Sequence, residues 1–362
     1  MNILFISSLS RSLSTGPAWS VPARVVAQSK IDNVYWVNLS DANHQHWIET
    51  GVYHNISEFQ NSSLNALPDP FNRPDIVMFE GFYGGFKEIR FVLDCWRYNI
   101  PYIITPRGSL TSQAMHNKSR WKKKIAHLLF YDRFVRRATA VQYLTKQEYE
   151  DSKYRFDGPH YILPNGFNTP KETKSDFSKD RIKGIFIGRI DIYHKGLDLL
   201  FDAIAEISDE LRNNNFSLDI YGPKRLDYNN VLEILKNKKI DDIVKLKGEI
   251  LGEEKKNAIL GSDVFFLTSR FEGHPMGLIE ALAYGLPGLV TTGCNMGAEV
   301  EQYKAGWCSN ITKQGISQSI LKMIGDKDLI NEYSKNAISL ASIYRWDTLA
   351  YALHKIIEKL IK

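Results

Sequence analysis

Residues 264–292 read VFFLTSRFEGHPMGLIEALAYGLPGLVTT. The apolar run Val264–Leu267 predicts a buried strand, and the Gly-His-Pro turn after it predicts a helix that starts near Met276. That helix is expected to stop at Gly285, with a proline two residues beyond, because glycine and proline mark helix C-termini. The next apolar run, Gly288–Thr291, predicts a second strand. A strand, a helix and a strand in this order form the repeating unit of a parallel α/β sheet.

The same alternation runs through most of the 362 residues. Short runs rich in Ile, Val, Phe and Tyr predict one series of strands at residues 2–7, 34–37, 76–79, 102–105, 140–143 and 161–163. A second series is predicted at 184–187, 217–221, 244–247, 264–267 and 288–291. Helix-length connections between such strands favour parallel sheets covered on both faces. The polar stretch 168–183 separates the two series and is the predicted linker.

The predicted fold class is therefore α/β, with two facing Rossmann-like doubly wound domains and a cleft between them. The predicted domain bounds are 1–165 and 166–345, followed by a helix at 346–362. The apolar residues of this last helix are Leu349, Leu353, Ile356, Ile357 and Leu360. Their spacing is amphipathic and leaves one face to be buried.

The composition, 43% hydrophobic and 24% charged, is that of a soluble globular protein. No apolar run approaches the roughly 20 residues that span a bilayer. The first apolar stretch has no basic region before it, so we interpret it as a core strand and not as a signal peptide. Cys95, Cys294 and Cys308 lack metal-ligand spacing and are typical of thiols in a reducing compartment, which predicts a cytoplasmic protein.

The loop and helix after the strand at 264–267 form a candidate anion site. The free amides and the positive dipole end of the helix near Met276 would point towards a ligand that lies beyond the end of the strand. Glu272 precedes this helix and Glu280 lies about one turn inside it. A carboxylate so placed can accept hydrogen bonds from a vicinal diol such as ribose. The residues alone fit an amphipathic helix with a solvated Glu280 and a capping Glu272 equally well.

A second candidate region, GRIDIYHKG at residues 188–196, follows the strand at 184–187. Gly188 permits close approach of a ligand to the backbone. Arg189 and Lys195 straddle the turn and suit a diphosphate, because Arg binds two oxygens and Lys acts as a point charge. Either cation alone would be better explained as a surface residue. Together the two regions favour a site for a diphosphate and a ribose.

These two regions resemble the C-terminal domain of retaining glycosyltransferases of the GT-B fold, in particular glycosyltransferase family 4 of the bacterial polysaccharide type. The matching motifs are Pro164-Asn165-Gly166, Gly188-Arg189, Lys195-Gly196, Tyr221-Gly222-Pro223, Gly248, Glu272 and Glu280 with seven residues between them, Gly285 with Pro287, and Tyr344-Arg345-Trp346. The resemblance implies an acceptor-side domain at 1–165, a nucleotide-sugar-binding domain at 166–345 and a final helix that crosses back to the first domain.

The resemblance also implies a role for each matching residue. Arg189 and Lys195 would hold the donor diphosphate, and Glu272 would face the donor sugar; these three are the expected catalytic residues. Glu280 would bind the donor ribose. The remaining expected donor contacts are Gly188, Gly222, Pro223, Gly248, Glu249, Ile250, His274, Pro275, Met276, Gly277 and Leu278. The expected donor is a UDP-sugar in preference to a GDP-sugar, with no cofactor. No metal site is expected, because no Asp-x-Asp pair ends a strand.

The first predicted domain matches the family less closely. Where family members often carry a glycine-rich loop after the first strand, this chain has Ser14-Thr15-Gly16-Pro17-Ala18. Where many carry a His-Gly pair, it has Arg107 followed by a glycine. Gly16 and Arg107 are therefore candidate site residues, and Arg107 either faces the site or forms a structural salt bridge.

Residues 116–137 carry eight Lys or Arg residues against one acidic residue, Asp132. The basic residues are Lys118, Arg120, Lys122, Lys123, Lys124, Arg133, Arg136 and Arg137. Aromatic and aliphatic residues lie among them, which is typical of an interfacial helix on anionic lipid. The alternative is a helix packed on its own sheet with a solvated basic face. No zinc-ligand spacing or aromatic platform supports binding to nucleic acid.

The expected enzyme is a retaining hexosyltransferase. It would move a hexose from a nucleotide diphosphate sugar to a lipid-linked saccharide acceptor. The reaction would belong to surface polysaccharide biosynthesis (lipopolysaccharide or capsule). It would act as a peripheral protein on the inner face of the cell membrane. The resemblance implies front-face attack within a short-lived ion pair, with the leaving diphosphate taking the acceptor proton. The alternatives are a sugar-nucleotide epimerase on the same fold and a catalytically silent lipid-binding protein.

Overall fold

The computed structural model describes residues 1–11, 16–111, 125–152, 158–178, 180–224, 227–272 and 274–362. The chain divides into two compact units. Unit 1 consists of Met1–Asn168 and Trp346–Lys362, and unit 2 of Thr169–Arg345. Each unit contains a parallel sheet with helices, which confirms the predicted α/β class.

Unit 1 contains a seven-stranded sheet in the order β3-β2-β1-β4-β5-β6-β7. Its strands are β1 (Asn2–Ser7), β2 (Asn33–Asn38), β3 (Tyr53–Asn55), β4 (Ile76–Glu80), β5 (Tyr102–Thr105), β6 (Ala140–Tyr143) and β7 (His160–Ile162). Its first helices are α1 (Pro17–Ser29), α2 (Gln45–Ile48), α3 (Gly85–Tyr98), α4 (Asp132–Arg136) and α5 (Lys146–Ser152). A π-helical turn, His127–Tyr131, leads directly into α4. Short 3-10 turns lie at Ile56–Glu58 and Leu64–Ala66.

Both faces of this sheet are buried, which explains the continuous apolar runs of its strands. Along β1, Ile3 and Phe5 belong to one hydrophobic cluster, and Leu4 and Ile6 belong to another. Successive side chains of a strand point to opposite faces, so the two clusters lie on the two sides of the sheet.

Unit 2 contains a six-stranded sheet in the order β10-β9-β8-β11-β12-β13. Its strands are β8 (Ile182–Ile187), β9 (Phe216–Tyr221), β10 (Val244–Gly248), β11 (Val264–Leu267), β12 (Gly288–Thr291) and β13 (Gly306–Ser309). Its helices are α6 (Leu197–Glu206), α7 (Ser208–Asn213), α8 (Tyr228–Asn237), α9 (Gly252–Leu260), α10 (Met276–Ala283), α11 (Gly297–Gln302), α12 (Lys313–Gly325) and α13 (Ile330–Ser342). Short 3-10 turns lie at Thr292–Cys294 and Lys327–Leu329.

The last helix, α14 (Trp346–Ile361), belongs to unit 1. Leu349, Leu353 and Ile357 are buried in the same cluster as residues of α1. Polar contacts hold the helix in place: Lys30 Nζ donates to Asp347 Oδ1 at 2.9 Å, and His354 Nδ1 lies 3.0 Å from an Asp32 carboxylate oxygen. The apolar stripe read from the sequence is therefore the buried face.

Two edge strands, β3 and β13, are absent from the sequence-based prediction. They read YHN and GWCS, and such short strands of mixed polarity carry little periodic signal. The other strands agree with their predicted ranges to within one or two residues at the ends. In the portion of the chain that the structure describes, no helix has both the length and the apolarity needed to cross a bilayer.

Candidate functional site

The strand order of unit 2 changes direction between β8 and β11. The chain runs outward from β8 through β9 to β10, and then returns to β11 on the other side of β8. Ligands of open α/β sheets bind at such a switch point, beyond the carboxyl ends of the strands. The two loops that leave this point are 188–196, after β8, and 268–275, after β11, the regions that the sequence analysis singles out.

Lys195 and Glu272, two of the expected catalytic residues, meet at this switch point. Lys195 Nζ lies 2.5 Å from Glu272 Oε1, and each side chain is only 12% exposed. Ser269 Oγ donates to the same carboxylate oxygen at 2.5 Å. The Asn295 side chain donates to the main-chain carbonyl of Glu272. The structure therefore holds one cation and one carboxylate together, largely sheltered from water.

Gly196 is required by the close approach of the two loops. Its φ is +61°, and a Cβ there would lie 2.1 Å from the carbonyl oxygen of Thr268. Thr268 Oγ1 also donates to the carbonyl oxygen of Lys195 at 3.1 Å. A larger residue at 196 would push the Lys195 loop away from the Glu272 loop.

The expected donor contacts Gly188, Gly222 and Gly248 lie beside one another at the ends of β8, β9 and β10. Gly188 N donates to the carbonyl of Tyr221 at 3.0 Å, and Gly222 N donates to that of Gly248 at 2.8 Å. A Cβ at Gly222 would lie 2.2 Å from the carbonyl oxygen of Gly188. Pro223 and Ile250 are half-buried, and Glu249 is exposed. These residues form a continuous strip along the carboxyl edge of the sheet.

Helix α10 begins at Met276, after His274 and Pro275. A Cβ at Gly277 would lie 3.5 Å from the carbonyl oxygen of Ile187, so the first turn of α10 lies against the end of β8. The Leu278 side chain is fully buried, and its N–H donates to the carbonyl of Pro275 at 3.0 Å. Its contact with a donor stays a prediction.

Glu280 is not simply solvated. Its carboxylate forms an ion pair with Lys255 of α9, a residue that no sequence motif indicates. The two side chains are 34% and 25% exposed, so the pair remains open to a ligand. The partners are 25 residues apart on different helices, and no local pattern connects them.

Arg189 is exposed and forms no ion pair with the described residues. Its carbonyl oxygen accepts from the N–H of Asp191 at 3.0 Å, which fixes the backbone of the turn but leaves the guanidinium open. The loop after β8 therefore presents one paired cation, Lys195, and one open cation, Arg189.

In unit 1 the structure shows Arg107 in a buried salt bridge, one of the two alternatives that the sequence leaves open. Its Nε and Nη2 atoms donate to Glu80 Oε2 at 3.0 and 2.7 Å. Arg24 Nη1 lies 2.6 Å from the other oxygen of Glu80, and Arg107 Nη1 donates to Ser20 Oγ at 3.0 Å. Gly16 precedes the first turn of α1, whereas residues 14 and 15 lie outside the described residues.

The basic segment 116–137 is described from Ile125 onward, and its lysines at 118 and 122–124 and its arginine at 120 lie outside the described residues. Leu128 and Leu129 are 83% and 75% exposed, whereas Tyr131 and Phe134 are buried. The guanidinium carbons of Arg133 and Arg137 lie over the Trp96 ring, 5.7 and 4.9 Å from its centroid. From Ile125 onward the segment therefore has one buried face and one face that presents leucines to solvent.

The cysteines are free thiols, with Cys95 and Cys294 buried. Burial raises the pKa of Cys294 to about 12 and that of Cys308 to about 11, so both remain protonated at neutral pH. Within the described ranges no cluster of three His, Cys, Asp or Glu side chains could hold a metal ion.

Residues 168–340 match the sequence profile of the protein family described as "Glycosyl transferases group 1". Among curated proteins, a component of the human phosphatidylinositol N-acetylglucosaminyltransferase is 29% identical over 127 residues, 34% of this chain and 25% of its own. Protein CapJ of Staphylococcus aureus is 25% identical over 67% of this chain and 63% of its own. The putative teichuronic acid biosynthesis glycosyltransferase TuaC of Bacillus subtilis is 26% identical over 53% of this chain and 47% of its own. The chain thus spans between a quarter and about three-fifths of the length of these relatives.

Several solved structures resemble nearly the whole chain. Sucrose-phosphate synthase from Thermosynechococcus elongatus has a TM-score of 0.71 at 16% identity and covers 99% of this chain and 98% of its own. Anabaena HepE in complex with UDP has a TM-score of 0.72 at 15% identity and covers 99% of this chain and 100% of its own. At this identity the likeness concerns the fold, and it confirms two Rossmann-like α/β domains of the GT-B type.

Proposed function

We propose that this chain is a retaining hexosyltransferase that uses a nucleotide diphosphate sugar, since residues 168–340 match the profile of the glycosyl transferases group 1 family. The observation that carries the proposal is the contact of Lys195 Nζ with Glu272 Oε1 at the switch point of the unit 2 sheet. A cation for the leaving group and a carboxylate for the sugar then stand side by side where α/β sheets bind ligands.

The chemistry requires stabilisation of a departing diphosphate. As the bond from the anomeric carbon to the phosphate oxygen breaks, its electron pair remains on that oxygen. Lys195 and the exposed guanidinium of Arg189 neutralise the developing charge. The acceptor hydroxyl attacks the same face of the sugar and gives its proton to the departing phosphate oxygen. Two cations placed in this way supply the charge stabilisation, so we expect transfer to persist in excess EDTA.

Glu272 has a second task in the ligand-free protein. It neutralises Lys195, which would otherwise be a largely buried cation without a partner. A bound diphosphate replaces Glu272 as the counter-ion of Lys195 and frees the carboxylate to accept from hydroxyls of the donor sugar. Glu280 is proposed to accept from the donor ribose, with Lys255 as its neighbour in the free protein.

The proposed donor is a UDP-sugar in preference to a GDP-sugar. The support is that HepE, which shares this fold, is described in complex with UDP. Gly222, Pro223 and the residues from Gly248 to Ile250 are proposed to line the base pocket, since they form the strip beyond β9 and β10.

The proposed acceptor is a lipid-linked saccharide of surface polysaccharide biosynthesis, reached at the inner face of the cell membrane by a peripheral cytoplasmic protein. Leu128 and Leu129 are exposed beside Arg133, Arg136 and Arg137, and apolar side chains with cations suit an anionic lipid surface. The name of TuaC, a putative teichuronic acid biosynthesis glycosyltransferase, supports the polysaccharide role.

Thermal unfolding with a panel of nucleotides tests the donor class. At 100 times its dissociation constant a ligand adds about 2.7 kcal/mol to the stability of the folded state. We expect UDP to raise the melting temperature more than GDP, ADP or UMP does at equal concentration. Absence of a shift with every nucleoside diphosphate would refute the proposed donor. The anomeric proton coupling of the product, measured by NMR, then tests retention, and an inverted product would contradict it.

A further inference from the structure

Arg270 links the two loops that carry Lys195 and Glu272. Its Nη1 and Nη2 atoms donate to Asp198 Oδ1 and Oδ2, each at 2.7 Å. Asp198 lies in the first turn of α6, directly after the Lys195 loop, whereas Arg270 lies in the loop after β11. A planar guanidinium that engages both oxygens of one carboxylate fixes orientation as well as distance.

The same arginine also holds the backbone of the Lys195 turn. Nη1 donates to the carbonyl of Tyr193 at 2.7 Å, and the guanidinium lies 4.4 Å from the centre of the Tyr193 ring. The N–H of Arg270 donates to the carbonyl of His194 at 2.9 Å. Arg270 therefore contacts the two residues that immediately precede Lys195.

The residues next to Arg270 and Tyr193 extend this contact between the two loops. Phe271, which immediately precedes Glu272, stacks on the His194 ring with centroids 4.1 Å apart and planes at 21°. Tyr193 and His194 thus lie against Arg270 and Phe271, and the next residue of each loop belongs to the Lys195–Glu272 pair. The contact between the two loops determines which residues meet.

The charges of the Arg270–Asp198 pair are stable at neutral pH. Burial alone raises the pKa of Asp198, but the hydrogen bonds and the charge of Arg270 outweigh it and hold that pKa below its usual range. The Arg270 side chain is 18% exposed and that of Asp198 is 38% exposed. The contact is therefore an ion pair throughout the neutral range and is only partly screened by solvent.

We propose that Arg270 and Asp198 are positioning residues of the transfer centre, which fix the Lys195 loop against the Glu272 loop in a single register. The inference rests on the proposed function, since it takes Lys195 and Glu272 as the site of transfer. Neither positioning residue touches the donor in this role. Their effect passes through the position of Lys195, and displacement of a reacting group by about 1 Å can cost roughly 100-fold in rate.

The test compares Asp198→Asn, Arg270→Lys, Arg270→Ala and the double variant Asp198→Asn/Arg270→Ala in the full chain. We expect kcat/KM for the nucleotide-sugar to fall roughly 10- to 100-fold in Arg270→Ala and Asp198→Asn, mainly through kcat. Arg270→Lys should fall between these and the wild type, because a lysine keeps the charge but loses the two-oxygen contact. The double variant should be little worse than either single variant, because both remove the same contact.

The matched control is Arg212→Ala. Arg212 also contacts both oxygens of one carboxylate, with Asp242 at 2.8 and 3.2 Å, but it lies on α7. We expect Arg212→Ala to change the melting temperature by an amount similar to Asp198→Asn and to leave kcat/KM at the wild-type value. All assays are made well below each variant's melting temperature, so that partial unfolding does not lower the rate.

Wild-type kcat/KM in Arg270→Ala and Asp198→Asn, with an active wild type, would overturn the inference. Additive losses in the double variant would also overturn it, because they would show two independent roles. If Arg270→Ala does not fold, Asp198→Asn and Arg270→Lys decide the matter. A wild-type protein that neither binds nucleotide nor transfers a sugar would instead refute the proposed function, so the two failures are distinguishable.

Discussion

Lys195 is the residue on which the proposed chemistry depends most directly. We expect Lys195→Ala and Arg189→Ala each to lower turnover roughly 100- to 1,000-fold, because each removes one donor that stabilises the departing diphosphate. Steady-state transfer and the thermal unfolding curve of each variant check this expectation.

A lysine in β8, the strand that precedes the Lys195 loop, provides the control. Lys183, at the amino end of β8, pairs with Asp219 at 3.0 Å, so Lys183→Ala removes a cation and an ion pair but not a site residue. It should leave turnover unchanged. Near-normal turnover in Lys195→Ala or Arg189→Ala would remove that residue from the site.

Glu88 in α3 provides a prediction about pH. Burial raises its pKa to about 7, and the N–H of Gly84, which donates to its carboxylate at 2.8 Å, offsets this only in part. Because the pKa of Glu88 is higher in the folded than in the unfolded protein, protonated Glu88 stabilises the fold at low pH. This stabilisation is lost as the pH rises towards 7. Glu88→Gln should therefore stabilise the protein at pH 8 by about 3 kcal/mol and have little effect near pH 4.5.

Chemical unfolding at a series of pH values measures the difference between Glu88→Gln and the wild type. Glu233→Gln, at an exposed position of α8, is the control and should have no comparable effect at any pH in this range. A stabilisation by Glu88→Gln that is the same at low and high pH would show that ionisation of Glu88 is not its cause.

The residues found from the sequence differ in kind from those that were missed. Lys195 and Glu272 each stand in a motif beside a strand end, so type and spacing predicted them although they lie 77 positions apart. Lys255, Arg270 and Asp198 each pair with a residue on another element, and only the folded chain shows the pairing. For Arg107 the sequence leaves two roles open, a site residue or a structural salt bridge, because nothing in the sequence shows that Glu80 lies against it.

At the scale of elements, the contact between the Lys195 loop and the end of β11 depends on Gly196. Gly196→Ala should destabilise the protein, by at least about 1 kcal/mol from the left-handed backbone alone and further from the 2.1 Å approach to the Thr268 carbonyl. It should also weaken nucleotide binding at least tenfold, since the two loops must separate. Calorimetric titration with UDP and thermal unfolding measure the two effects.

Gly51→Ala is the matched control. Gly51 also has a left-handed φ, +73°, but a Cβ there would meet no atom within 4 Å. We expect a similar cost from backbone strain and unchanged nucleotide affinity. Equal nucleotide affinity in both variants would show that the tight approach at Gly196 does not govern the site.

The predictability of the elements follows from their burial. Strands buried on both faces, such as β1 and β11, are continuous apolar runs, and the sequence predicts their bounds. The edge strands β3 and β13 contain His54, Asn55 and Ser309, and they pair because neighbouring strands present a free edge to them. That cause is tertiary, so the local sequence does not indicate it.

At the scale of the whole molecule, donor binding is proposed for unit 2 and membrane contact for unit 1. The two tasks should therefore be separable by substitution. Glu280→Gln keeps the size of the side chain but removes the charge that would accept from the ribose hydroxyls. The double variant Leu128→Gln/Leu129→Gln removes the two most exposed apolar side chains among the described residues, 125–137, of the basic segment.

We expect Glu280→Gln to weaken UDP binding about tenfold or more, since charge-assisted hydrogen bonds contribute roughly 1.5–3 kcal/mol each. Its sedimentation with vesicles that contain phosphatidylglycerol should stay at the wild-type level. Leu128→Gln/Leu129→Gln should behave in the opposite way, with reduced sedimentation and unchanged UDP affinity. Leu321→Gln, an exposed leucine of unit 2, controls for the loss of surface apolarity and should change neither property. Wild-type UDP affinity in Glu280→Gln would refute the ribose assignment, and full sedimentation of the double leucine variant would exclude that surface as the membrane contact.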